Sequence, residues 1–161
     1  MNRRNITTLL FTLMLLDGLA VAAPQSGPTC RLARSGRSLE TFDLMVSDGD
    51  ETVVSGTFSK TQVGVFRNLL VEAQKFALNE EEVGKEEPKT TRFASESEPA
   101  LIVDVTKLDD QSQIFITLTT DVGQLTIEAG TVQRRSKREQ GAFFTLLSRM
   151  QSLLSAPAAA K

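Results

Sequence analysis

The chain has 161 residues, 40% of them hydrophobic, and a formal charge of −2. That length suits one globular domain, or two small units sharing a core. It contains no His, Trp or Tyr, which excludes Ser-His-Asp, Cys-His and histidine-metal sites within a single chain and removes two of the three stacking side chains.

Residues 1–23 read as a targeting segment. Arg3 and Arg4 precede the apolar run Ile6 to Leu16, and Ala20-Val21-Ala22 has the small-x-small form of a signal-peptidase site. The run is too short to span a membrane, so no insertion is expected after processing. Two destinations stay open. Apolar content points to secretion or the periplasm. The Arg-, Ser- and Thr-rich stretch reaching to residue 39, with Asp17 its only acid, points to an organellar presequence.

Residues 24–38 form a linker and a short candidate first strand, Thr29 to Arg34. The lone Cys30 has no intramolecular partner and no histidine to activate it, so it reads as inert.

Residues 39–79 make a first strand–strand–helix unit. Leu39 to Val46 alternates, with Phe42, Leu44 and Val46 on one face. Ser47-Asp48-Gly49-Asp50 is a hairpin signal and Glu51 to Phe58 the return strand. Asp48, Asp50 and Glu51 lack the other positions of a calcium loop and read as a solvated turn. Ser59 and Gln62 have capping-box spacing. Behind them Val63, Phe66, Leu69, Leu70, Ala73 and Phe76 fall on one helical face.

Residues 80–90, with Glu80, Glu81, Glu82, Glu86 and Glu87, are an acidic connector. Residues 91–155 form a second unit of four strands and a helix. Thr91 to Ser97, Leu101 to Leu108, Gln113 to Thr119 and Gln124 to Val132 are its strands. Ile114, Ile116 and Leu118 point inward, and Phe115, Thr117 and Thr119 outward. Ser136 and Glu139 repeat the capping-box spacing, ahead of Phe143, Leu146, Leu147, Met150 and Leu154. Residues 156–161 are a frayed tail.

The two helical stretches, Ser59 to Gln74 and Ser136 to Gln151, match at Ser, Lys, Gly, Phe, Leu, Leu and Gln. Each follows a Gly-Thr pair, Gly56-Thr57 and Gly130-Thr131. Gly64 and Gly141 are expected inside the helices, where Gly costs roughly 1 kcal/mol against Ala, which points to close approach of another backbone. The expected fold is α+β: two β-meander–helix repeats of three or four antiparallel strands plus one helix, related by pseudo-twofold symmetry.

This doubled pattern, most closely over Ala100 to Leu154, resembles the Whirly and mitochondrial RNA-binding group of single-stranded nucleic-acid binders, with the PUR repeat and the PC4 fold related in outline. The resemblance implies an organellar, non-enzymatic protein of the mitochondrial matrix that binds single-stranded RNA or DNA as a homo- or hetero-oligomer, without metal or cofactor. It implies phosphate contacts at Arg134, Arg135, Lys137 and Arg138, beside an expected helix N-terminus. Bases would stack on Phe115 and Phe93. The alternative is an exported, non-enzymatic binding or scaffold module. For an enzyme, Asp104 and Glu128 lie on strands, but their spacing makes no acid/base pair.

Overall fold

The computed structural model describes residues 27–36, 38, 40–49, 52–80, 88–96 and 99–155. The targeting segment, most of the acidic connector, Asp50, Glu51 and the tail lie outside them. The fold is α+β, with two antiparallel sheets of three and five strands and two helices.

The first sheet is a meander of β1 (Thr29–Arg34), β2 (Thr41–Ser47) and β3 (Val53–Ser59). Phe42, Leu44 and Val46 face the core, and Phe58 and Val54 face it from β3. The β2–β3 turn is tied by its own side chains, with the Thr52 amide donating to Asp48 Oδ1 at 3.0 Å. Asp48 therefore serves the turn.

Helix α1 (Lys60–Leu78) starts where Ser59 ends β3. The Gln62 amide donates to Ser59 Oγ at 3.3 Å, and the Ser59 amide donates to Gln62 Oε1 at 2.9 Å. This capping box pairs two amides that the first turn leaves open. Val63, Phe66, Leu70, Ala73 and Ala77 are buried, while Leu69 and Phe76 pack at the core's margin.

The second sheet runs in sequence order: β4 (Lys89–Ala94), β5 (Ala100–Lys107), β6 (Gln111–Thr120), β7 (Gly123–Gln133) and β8 (Arg138–Gln140). Helix α2 (Ala142–Ser155) follows, burying Phe143, Leu146, Leu147 and Met150. The helices lie side by side. α1 leans chiefly on β5 of the second sheet, and α2 chiefly on β1 of the first. The apolar faces of both sheets and both helices merge into one cluster.

The second helix departs from the sequence expectation. Ser136 does not cap it. Residues 134–137 form a turn, Lys137 adopts φ 53°, and Arg138 to Gln140 return as β8. The helix begins only at Ala142. Arg134 explains this, because its buried side chain pins the turn to the neighbouring β5–β6 turn and the chain doubles back before it can coil.

The two expected close approaches also separate. A Cβ added at Gly64 meets nothing within 4 Å, so this helix glycine has no packing reason. Gly141 has φ +112°, and an added Cβ would lie 2.6 Å from the Gly130 Cα and still nearer the Ala129 carbonyl. A β-bulge at Ile114/Phe115 leaves Ala129 as the extra residue of β7. Gly130 then lies beneath the start of α2, its own Cβ position 2.6 Å from the Gln140 carbonyl. The crossing is glycine on glycine because no other residue fits either side.

Cys30 is buried on β1, and that burial pushes its thiol up to about 12 from 9.0. The folded state keeps the thiol neutral while the unfolded chain ionises it near pH 9. The resulting stabilisation is therefore complete below pH 9 and is lost as pH rises toward 12. Urea titrations should show wild type losing up to ~1.4 kcal/mol per pH unit above pH 9 relative to Cys30→Ala. Parallel curves for the two proteins would contradict the assignment.

Candidate nucleic-acid interface

The six residues singled out in the sequence reach four different places. Arg134 is inside, with 3% of its surface exposed. Its guanidinium donates to the carbonyls of Leu108 and Asp109, to the Gln111 carbonyl at 2.7 Å and to Ser112 Oγ at 3.1 Å. Its backbone amide donates to the Asp110 carbonyl at 3.0 Å. This cation is consumed as a clamp between two turns and offers a phosphate nothing.

The clamp belongs to a larger polar cluster at the C-terminal end of α1. Ser112 Oγ donates to the Ala77 carbonyl, and Lys107 Nζ to the Asn79 carbonyl, both at 2.9 Å. Lys107 is 2% exposed and sits 4.2 Å from the centroid of the Phe76 ring. Lys107 thus meets the negative end of the helix directly, where carbonyls lack intrahelical partners, and Arg134 reaches it through Ser112. The sequence reading missed Lys107 and Ser112, although a signal existed. Leu101, Val103, Val105 and Lys107 share one parity on β5, and Ser112 shares the parity of Ile114.

Phe93 is on the inner face of β4. Its ring lies against Phe76 with centroids 6.0 Å apart at 61°, an edge-on contact at the rim of the core. It is not on the outward face with Phe115. Phe115 does lie outward, yet its cross-strand neighbours are Asp104 on β5 and Glu128 on β7. Beyond Asp104, Arg92 donates to both carboxylate oxygens at 2.8 and 3.0 Å. That hydrogen bonding and the Asp104 charge push the Arg92 guanidinium further up. The ring is flanked by carboxylates, and Arg92 already has its partner in Asp104.

Arg135, Lys137 and Arg138 are exposed on the β7–β8 hairpin. Arg138 folds onto Gln140, whose side-chain oxygen accepts from its Nε and NH2 at 2.8 and 2.9 Å. Glu139 Oε1 accepts from Gln74 Nε2 at 2.7 Å, tying the hairpin to α1. The positive φ at Lys137 and the buried Arg134 fix the loop, so three cations project from a rigid frame. Asp109 and Asp110 are exposed on the adjoining turn and moderate the local field.

An open groove of about 650 Å³ lies elsewhere, over the outer face of the first sheet. Arg31, Asp43, Met45, Asp121 and Val122 line it, and none of the six candidates does. Among the described residues, no three His, Cys, Asp or Glu side chains could hold a metal ion, and no helix is long and apolar enough to cross a membrane. Comparison with known proteins gave no matching family model, no matching curated relative and no matching solved structure.

Proposed function

We propose that this protein is a non-enzymatic binder of single-stranded nucleic acid that contacts phosphates through the β7–β8 hairpin. The observation that carries the reading is the trio Arg135, Lys137 and Arg138, exposed together on a hairpin that Arg134 holds from inside. Fixed cations on a loop suit a chain of phosphates, which needs charge and not shape. Phe115 is left out of the contact, because its carboxylate neighbours would repel a backbone brought to it. The Whirly-like pattern supports the same class of ligand. So does a reading of the two halves as copies, in which α1 on β5 and α2 on β1 are equivalent packings and Phe66 and Phe143 equivalent anchors. The N-terminal segment would route the chain out of the cytosol.

Three phosphate contacts on a single strand give a slope of about −2 in log affinity against log salt. Fluorescence anisotropy with labelled oligo(dT) and oligo(U) should therefore show binding that weakens roughly 20-fold between 50 and 200 mM salt. Replacing Arg135, Lys137 and Arg138 together with alanine should abolish it, while Phe115→Ala leaves it nearly unchanged. Failure to bind at the lowest salt, or binding that the triple variant keeps, ends the proposal.

A further inference from the structure

Among the described residues, the two sheets expose few open edges. β8 is only three residues long. β3 lies against β6 and β7, and β7 also against β2. On β1, Arg149 Nε donates to the Leu32 carbonyl at 3.3 Å. β4 is different. It ends the five-stranded sheet, runs six residues with no bulge or proline, and among the described residues no strand lies on its far side.

The register tells which of its amides face out. The Ser95 amide donates to the Leu101 carbonyl at 3.0 Å, continuing the β4–β5 ladder by one residue. Bonded pairs alternate in an antiparallel ladder. Thr91 and Phe93 therefore bond inward to β5, and the amides and carbonyls of Thr90, Arg92 and Ala94 point away from the sheet. Strands with such a row are templates for another strand.

We propose that two copies of the chain pair antiparallel through β4, with the twofold axis at Thr91, joining their five-stranded sheets into one. The occupant is a second copy because the strand is complementary to itself about this axis: Thr90 and Arg92, whose backbone groups point out, stand on either side of Thr91. With the axis at Thr91, each Thr90 exchanges both backbone hydrogen bonds with Arg92 of the other copy, and the two Thr91 side chains meet. Sliding by one bonded pair sets Arg92 directly against Arg92, and like charges in that position oppose pairing. The pairing is independent of any nucleic-acid contact, since the β7–β8 hairpin is at the opposite edge of the sheet.

Sedimentation velocity of the full chain from about 10 to 500 µM tests this, a range suited to a small interface. A concentration-dependent dimer is expected. Thr90→Pro removes an outward N–H and leaves the β5 ladder intact, since edge strands accept proline where the amide faces solvent. That variant should keep its circular dichroism and melting temperature and stay monomeric. Thr91→Cys in a Cys30→Ala background should oxidise to a covalent dimer, because residues facing across a non-bonded pair are within disulfide reach. A monomer at every concentration, a dimer that Thr90→Pro leaves intact, or no crosslink at residue 91 would each overturn the proposal.

Discussion

Alanine at Gly141 should lower the stability of the fold by about 3–5 kcal/mol, whereas alanine at Gly64 should raise it by up to about 1 kcal/mol. The two glycines occupy matching places in the sequence, so the contrast isolates the local cause. At Gly141 a Cβ must enter the space of the Ala129 carbonyl and the Gly130 Cα, on a backbone with φ +112°. Neither obstacle is a flexible side chain that could swing aside. Gly130→Ala should fail for the reciprocal reason, as its Cβ would press on the Gln140 carbonyl. Gly64 stands in open space inside a regular helix, where a methyl group only removes freedom from the unfolded chain. Urea unfolding midpoints of the three variants test this. Equal effects at Gly64 and Gly141 would refute the glycine-on-glycine crossing.

The second large effect is expected at Arg134. Arg134→Ala should cost about 3–5 kcal/mol, since it removes a buried guanidinium that serves three part-buried carbonyls and the buried Ser112 Oγ at once. Arg134→Lys should recover only part of this, because an ammonium cannot span the fork that the guanidinium fills. Arg135→Ala and Lys137→Ala, on exposed side chains, should shift stability by less than about 0.5 kcal/mol. Thermal melts of the four variants decide the matter. An Arg134→Ala protein as stable as wild type would return Arg134 to the surface and to the ligand.

Much of the architecture was legible because burial follows parity. Phe42, Leu44 and Val46, then Ile114, Ile116 and Leu118, announced their inner faces by simple alternation. The Ser59–Gln62 box was legible because its pattern is local and complete. Ser136 and Glu139 show the same spacing, yet a contact from outside the segment decides their fate. Arg134 binds carbonyls more than twenty positions back, and no window centred on residue 136 contains that information. The same distance hid the true role of Arg134, which looked like one more surface cation in a basic run. The contact of Phe93 with Phe76 was hidden for a smaller reason. On an edge strand with charged and polar residues on both faces, composition did not reveal which face α1 would cover.

The bond between Arg149 and Leu32 joins residues 117 positions apart. Among the described residues the first strand is thus closed by the last helix, and Cys30 and Leu32 lack that cover until α2 has been made. Contacts of such long range delay folding. The two ends of the described chain therefore close the fold together.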